Sequence, residues 1–251
     1  MSWRDIERAM EEADVVLEVI DSRFPDITRS RKLEKMTKER GKNLVIAMNK
    51  VDLVPRDVAE RWIWRISKEF PVVPVSARKR LGTMRLRRFL KRYSPAVVLI
   101  AGFPKVGKSS IINVLKGRHS ASTSPVPRSP GYTKGFTKYR IEKGLYIIDS
   151  PGIIPPEGSG FEAVVRGAKA DLVDMASSLI LTASKISPGL LKRAYGVAEE
   201  SPEEVLSAIA RKRGFIFKST GELNLSEAAK VLLEDFYRGK ISFFMIPEKT
   251  P

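Results

Sequence analysis

The stretch Ala96-Val-Val-Leu-Ile-Ala-Gly102-Phe-Pro-Lys-Val-Gly107-Lys108-Ser109 decides the fold class. Its six leading apolar residues predict a buried strand, and the next eight fit the pattern G-x-x-x-x-G-K-[ST] at a strand-to-helix turn. The glycines let the backbone fold closely around an anion, which the loop amides and the next helix N-terminus then bind. Lys108 would neutralise the β- and γ-phosphates of a nucleotide, and the Ser109 hydroxyl would ligate Mg²⁺. The stretch therefore predicts a phosphate-binding loop.

Around this loop, short apolar strands alternate with charged helical segments up to about residue 150. This alternation predicts an α/β fold with a mostly parallel sheet and helices on both faces. The patterns predict helices over 3–13, 29–40, 57–69, 83–93 and 108–116. They predict strands over 14–20, 44–48, 72–75, 96–101, 136–142 and 145–148.

Strand patterns largely stop after the Pro- and Gly-rich segment 155–160. Beyond it, Ser201 followed by Pro202 and Glu204 has the form of a capping box, and Ser226 opens a second predicted helix. Gly214 and Gly239 are the predicted helix ends. We therefore expect a nucleotide-binding domain over 1–158 and a helical C-terminal domain over 159–251.

The composition excludes several classes of protein. The 251 residues include no cysteine, which excludes disulfides, thiolate metal sites and thiol catalysis, and His119 is the single histidine. The longest apolar run, around 96–103, is too short for a bilayer, which needs about 20 residues. Residues 1–14 are rich in charge and lack the apolar core of a secretory signal. We expect a cytoplasmic monomer without membrane contact.

The net charge of +16 is concentrated in the first 160 residues. Counting Lys and Arg against Asp and Glu gives +9 for 1–95, +6 for 96–160 and +1 for 161–251. Such a surface favours binding to a polyanion, and we expect nucleic acid, although a solvated surface without a partner has the same composition. The densest basic cluster contains no acidic residue and comprises Arg78, Lys79, Arg80, Arg85, Arg87, Arg88, Lys91 and Arg92. Such a cluster is either an RNA-phosphate contact or a solvated helix face.

Two further motifs are expected at the phosphate site. Asp149-Ser-Pro-Gly152 ends a predicted strand, where the carboxylate can hold Mg²⁺ through water and the Gly152 N–H can meet the γ-phosphate. Thr133, in the loop 129–135, would supply a second hydroxyl to the metal.

A base site is predicted at the end of another strand. In Asn49-Lys50-Val51-Asp52 the Asp52 carboxylate can accept hydrogen bonds from both N1–H and the N2 amine of guanine, a donor pair that adenine lacks. Sites built on such bonds reject the wrong ligand by roughly 10⁴-fold. Ser76-Ala77, after the next strand, would give a backbone N–H to guanine O6. These motifs together favour GTP over ATP.

The motifs stand in an order that resembles a known family. The elements match those of translation-factor-type GTPases, but the base motifs precede the phosphate loop. The order resembles the circularly permuted GTPases of the YlqF/YawG (RbgA-like) group, and the motifs that carry the resemblance are NKVD (49–52), SAR (76–78), GFPKVGKS (102–109), PGYT (130–133), DSPG (149–152), and also DSRFP (21–25), ARKRG (210–214) and DFYRGK (235–240).

Membership of that group implies a GTPase acting on ribosomal particles, usually in large-subunit assembly, with a C-terminal domain that contacts RNA. The nucleotide-binding residues that the motifs predict are Asn49, Lys50, Asp52, Ser76, Ala77, Arg78, Pro104, Lys105, Val106, Gly107, Lys108, Ser109, Ser110, Thr133, Asp149 and Gly152. Ser109, Thr133 and Asp149 are the expected Mg²⁺ ligands, and Lys108, Gly152 and Lys105 the candidate catalytic residues.

Hydrolysis cannot use a water-orienting glutamine from the chain itself. Ile153 occupies the place where many GTPases carry a water-orienting glutamine, and the chain contains no glutamine at all. The resemblance implies slow intrinsic turnover that a partner stimulates. Some relatives bind K⁺ through an asparagine at the fourth phosphate-loop position, where this chain has Lys105. The Lys105 ammonium would then lie where K⁺ sits, or it is a solvent-facing lysine that steers GTP.

Two other functions stay open at this point. A small-subunit factor of a related permuted group usually carries an oligonucleotide-binding barrel and Cys/His zinc ligands, which we do not find. A metabolic phosphotransferase would use the phosphate loop but has no use for the NKVD motif (49–52).

Overall fold

The computed structural model describes residues 3–116, 137–149, 154–198 and 200–248, apart from the side chains of Thr137 and Asp149. Two compact units divide the chain. Unit 1 comprises the described residues of 1–155 and of 246–251, and unit 2 comprises those of 156–245. No helix in these described ranges is both long and apolar enough to cross a bilayer.

Unit 1 is built on a six-stranded sheet with the order β3-β2-β1-β4-β6-β5. Neighbouring strands are parallel except for β5, which runs antiparallel to β6. The strands are β1 (Val15–Asp21), β2 (Asn43–Asn49), β3 (Val72–Pro74), β4 (Ala96–Ala101), β5 (Thr137–Glu142) and β6 (Leu145–Asp149). The predicted mostly parallel α/β sheet is confirmed.

Helices cover this sheet because each connection between parallel strands must return along it. The helices of unit 1 are α1 (Trp3–Glu11), α2 (Pro25–Thr28), α3 (Arg31–Glu39), α4 (Arg56–Ser67), α5 (Thr83–Lys91) and α6 (Lys108–Lys116), with a 3₁₀ turn over Val51–Leu53. The helix after the phosphate loop has the predicted bounds.

The core of unit 1 lies around its central strands. Every residue of β1 is buried, as expected for a strand with parallel neighbours on both sides. On α4, Trp62 is 3% exposed and Trp64 is 54% exposed, because residues two apart on a helix point in different directions.

Unit 2 is helical. It contains α7 (Gly160–Arg166), α8 (Leu172–Ile186), α9 (Leu190–Tyr195), α10 (Pro202–Arg213) and α11 (Leu225–Tyr237). Its core includes a cluster of three aromatic rings, Phe161, Phe236 and Phe243, with centroids 5.6–6.3 Å apart. The predicted cap of α10 is confirmed, since the Ser201 hydroxyl accepts from the Glu204 N–H and Gly214 ends the helix with a φ of 66°.

Candidate functional site

The predicted motifs meet at one edge of the sheet. In parallel strands the carboxyl ends share an edge, and ligands of such folds bind there. Asp21, Asn49 and Asp149 end β1, β2 and β6. Ser76 follows β3 closely, and Gly102 follows β4 directly. The strands are adjacent in space although their order along the chain differs from their order in the sheet.

The phosphate loop, residues 102–109, lies between β4 and α6. Gly102 has a φ of 144°, and a Cβ added there would overlap the Val19 carbonyl oxygen, so only glycine fits against β1. The Lys108 ammonium donates to the carbonyl oxygens of Gly102, at 2.8 Å, and of Phe103, at 2.7 Å. The lysine therefore spans the loop from its last residues back to its first.

Asn49 joins the base motif to the phosphate loop. Its buried side-chain amide donates to the Val106 carbonyl oxygen at 2.9 Å and accepts from the Ala77 N–H at 3.1 Å. Gly107 must lack a side chain here, because a Cβ would overlap the Asn49 amide nitrogen. One side chain thus holds together three motifs that lie at positions 49, 76–78 and 102–109 of the sequence.

Lys50 makes a second connection to the same loop. Its ammonium donates to the Lys105 carbonyl oxygen at 2.9 Å and to the Asp21 carboxylate at 2.8 Å. Lys50 and Lys105 both have a left-handed backbone, with φ of 63° and 64°. Burial lowers the pKa of the Lys50 ammonium, and the Asp21 carboxylate opposes that shift.

Asp21 is the centre of a buried charge cluster. The Arg23 guanidinium, 1% exposed, donates to both Asp21 oxygens, at 3.1 and 2.8 Å. Burial alone would raise the pKa of the Asp21 carboxyl, but the charges and hydrogen bonds of Arg23 and Lys50 outweigh burial and hold it well below its usual range. Thr28 completes the cluster, since its hydroxyl accepts from the Asp21 N–H at 3.0 Å.

Of these cluster residues, only Lys50 was among the predicted site residues. The motif DSRFP (21–25) carries part of the family resemblance, which assigns no role to its residues. The sequence offered a signal for only one pair of the cluster, since Arg23 stands two residues after Asp21 at the end of a largely apolar segment, and opposite charges there can pair.

The two predicted base motifs, 49–52 and 76–78, follow the neighbouring strands β2 and β3, and their backbone already carries hydrogen bonds. Asp52 is half-buried in the 3₁₀ turn after β2, and Arg78 is exposed. The Ser76 N–H donates to the Leu81 carbonyl oxygen at 3.0 Å, and the Ala77 N–H to the Asn49 amide oxygen. A guanine O6 would therefore have to share the Ala77 N–H with Asn49.

Part of the predicted site lies outside the described residues. This holds for Thr133, Gly152, Ile153, His119 and the Asp149 side chain. Ser109 and Ser110 lie in the first turn of α6, and both are exposed. Within the described ranges no three His, Cys, Asp or Glu residues cluster around a metal position. A hard hydroxyl donor at Ser109 fits a Mg²⁺ ion held largely by phosphate oxygens and water.

Comparisons with known proteins identify relatives of the chain. A family model described as RsgA GTPase matches residues 10–157. The chain is 34% identical over 256 residues to an uncharacterised GTP-binding protein of Methanocaldococcus jannaschii, covering 97% of this chain and 67% of that protein. It is 34% identical over 272 residues to nucleolar GTP-binding protein 2 of Cryptococcus neoformans var. grubii, covering 99% of this chain but only 39% of that protein.

A solved structure is similar over the whole length of both chains. The crystal structure of GNP-bound YlqF from T. maritima matches with a TM-score of 0.68 and 25% identity, covering 99% of each chain.

Proposed function

Because the chain belongs to the RsgA GTPase family, in its YlqF-like group, we propose that this GTP-binding GTPase is a nucleotide-controlled ribosome assembly factor that binds ribosomal RNA. The observation that carries the nucleotide part is the Asn49 amide, which joins the phosphate loop to both base motifs. A phosphotransferase would need the loop alone. A site that links phosphate loop and base motifs suits a protein that reads the whole nucleotide.

In the proposed reaction the chain orients GTP and stabilises charge on it. Lys108 would leave its loop carbonyls for the β- and γ-phosphates, and the loop amides would bind the phosphate oxygens. Mg²⁺ brought with the nucleotide would be held by Ser109, with Thr133 and Asp149 as further ligands, and would neutralise phosphate charge. The Gly152 N–H would meet the γ-phosphate. Since the chain has no glutamine, slow intrinsic turnover is part of the proposal.

Lys105 is the proposed substitute for K⁺. Its side chain is exposed, and Lys50 fixes its backbone carbonyl, so the ammonium extends from an anchored point on the loop. It would place a positive charge beside the transition state, where a bound cation sits in relatives with asparagine. We expect similar turnover of the wild type in KCl and NaCl, and K⁺ stimulation only in Lys105→Asn. Strong K⁺ stimulation of the wild type would overturn this role.

Several observations support a ribosomal partner. Unit 1 carries most of the net charge of +16, and relatives of the chain are named as nucleolar GTP-binding proteins. In unit 2, Ile216 and Phe217 are 51% and 47% exposed, and the cations 211–213 and Lys218 flank them. Exposed aromatic and basic side chains together favour contact with RNA bases and phosphates. We also propose that the partner is the large ribosomal subunit and that the protein acts in the cytoplasm as a monomer.

Co-sedimentation with separated ribosomal subunits tests this function. We expect the protein to pellet with the large subunit in the presence of a non-hydrolysable GTP analogue and less so with GDP. Pelleting with the small subunit instead would favour the alternative, a small-subunit maturation factor. If it pellets with neither subunit in either nucleotide state, the proposed assembly role is wrong.

A further inference from the structure

A surface segment of unit 1 carries cations without acidic partners. We define the α5 basic face as Lys79, Arg80, Arg85, Arg88 and Arg92. All five lie on the surface. In the part of the chain that the structure describes, the first four make no ion pair, and Arg92 lies over the Phe89 ring at 4.9 Å. α5 also has no acidic residue in its first turn.

The neighbouring surface helix shows what a solvated basic helix of this protein looks like. On α4, Arg56 pairs with Glu60 and Arg61 pairs with Asp57, both at 2.8 Å and at a spacing of four residues. Such pairs stabilise an exposed helix by a few tenths of a kcal/mol each, and like charges at this spacing destabilise it. The α5 basic face therefore lacks the arrangement expected of a merely solvated face.

The geometry of the face fits a phosphate backbone. Arg85, Arg88 and Arg92 recur at spacings of three and four residues, which places them in one row about 10 Å long. Leu86 and Leu90 are fully buried beneath that row and fix the helix on unit 1. Because those apolar side chains face the core, the helix cannot turn a broad apolar surface to lipid, as a membrane-bound helix would.

We propose that the α5 basic face binds the phosphate backbone of RNA. The choice of RNA rests on the proposed function, and the surface rests on the cations that make no ion pair. Neutralising phosphates releases counterions, so each contact adds to the salt dependence of binding. Exposed Leu81 and Met84, 54% and 60% accessible, flank the start of the row and would lie against the RNA as well.

The test compares two double variants that lose the same charge. Arg85→Ala/Arg88→Ala removes unpaired cations of the face, and Arg56→Ala/Arg61→Ala removes paired cations of α4. Binding of a short fluorescein-labelled RNA duplex is measured by anisotropy over a series of salt concentrations. We expect the α5 variant to lose about tenfold or more in affinity at low salt and roughly 1–2 units of salt slope, and the α4 variant to stay within about twofold. Thermal melting checks that both variants fold.

The other outcomes are decisive too. Equal weakening by both variants would mean that net charge alone matters, which overturns the proposal. If the wild type binds RNA and the α5 variant binds it with the same affinity, RNA contacts another surface, and only this inference fails. Equal wild-type affinity for a DNA duplex or for phosphatidylglycerol vesicles would overturn the choice of RNA. If the wild type binds neither RNA nor ribosomal subunits, the proposed function fails with it.

Discussion

Asn49 is able to join three motifs because an amide carries a donor and an acceptor on one rigid group. Its nitrogen donates to the Val106 carbonyl oxygen and its oxygen accepts from the Ala77 N–H. A carboxylate would repel the first partner, and an aliphatic side chain would leave both buried groups unsatisfied. The residue that ends β2 therefore fixes the phosphate loop against the base motifs.

Asp52 tests the assignment of the base. In Asp52→Asn the carboxylate that accepts from guanine N1–H and N2 is lost, so GTP affinity should fall by about a hundredfold. The new amide can donate to the 2-oxo group of xanthosine triphosphate, whose affinity should rise. Titration with fluorescent nucleotide analogues measures both, and Asp57→Asn, on α4, is the matched control. Unchanged GTP affinity in Asp52→Asn would contradict the base site.

Glu18 gives a pH-dependent prediction. Its carboxyl is fully buried in β1, where one oxygen accepts from the Ser30 N–H at 2.6 Å and the other has no hydrogen-bond partner among the described residues. Burial, with a smaller contribution from Glu34, raises its pKa to about 8. Between the ordinary value of 4.5 and about 8 the folded state binds more protons than the unfolded state, so this group lowers stability as pH rises.

Replacing Glu18 by glutamine should remove that dependence. The amide oxygen can still accept from Ser30, and no charge forms in the core. Urea unfolding at pH 5 and pH 8 measures the free energy of unfolding of both proteins. From pH 5 to pH 8, that free energy should rise for Glu18→Gln relative to the wild type by about 1 kcal/mol or more. Glu39→Gln, on the exposed end of α3, is the control. A stability difference between Glu18→Gln and wild type that does not vary with pH would rule out a titrating Glu18.

At the scale of elements, the sequence predicts the features that depend on local pattern. Apart from the short helix α2 (Pro25–Thr28), which was not predicted, the strands and α-helices of unit 1 follow from hydrophobic runs and periodicity, and their bounds agree within about two residues. The Asp21–Arg23–Lys50 cluster could not be predicted this way. Its partners come from the ends of two different strands, and only the assembled sheet brings those ends together.

The start of α11 shows the same limit. The pattern favours Ser226 as its first residue, but in the structure Asn224 is the cap, and its side chain accepts from the Glu227 N–H at 3.2 Å. Asn and Ser are similar caps in free energy, so the local sequence does not decide between Asn224 and Ser226.

The two candidate caps can be separated by mutation. Asn224→Ala should destabilise the protein by about 1 kcal/mol, because the Glu227 N–H loses its acceptor. Ser226→Ala should be neutral or slightly stabilising, since Ser226 is exposed within the first turn and alanine is the better helix former. Chemical denaturation of both variants measures the difference, and a larger loss in Ser226→Ala would place the cap as the sequence pattern does.

At the scale of the whole molecule, the permuted order changes the connection that leaves the loop with the motif DSPG (149–152). In the usual order this loop returns to the same sheet, whereas here the chain passes through 154–159 into the helices of unit 2. Beyond Pro156 this segment is held to α7, because Arg166 donates to the Glu157 carbonyl oxygen at 2.7 Å and to the Glu162 carboxylate at 3.1 Å. We infer that a loop reshaped by the γ-phosphate acts on unit 2 through a short, partly anchored connection.

Lengthening that connection tests the inference. A few Gly and Ser residues inserted between Pro155 and Pro156, at the boundary of the two units, leave every described hydrogen bond of the site intact. Nucleotide affinity should therefore stay at the wild-type value. Ribosomal subunit binding should lose its difference between GDP and a non-hydrolysable GTP analogue, because a flexible insertion absorbs the displacement of the loop. Co-sedimentation in the two nucleotide states measures this difference. If the insertion preserves it, the connection transmits nothing, and the nucleotide must act through a surface of unit 1 alone.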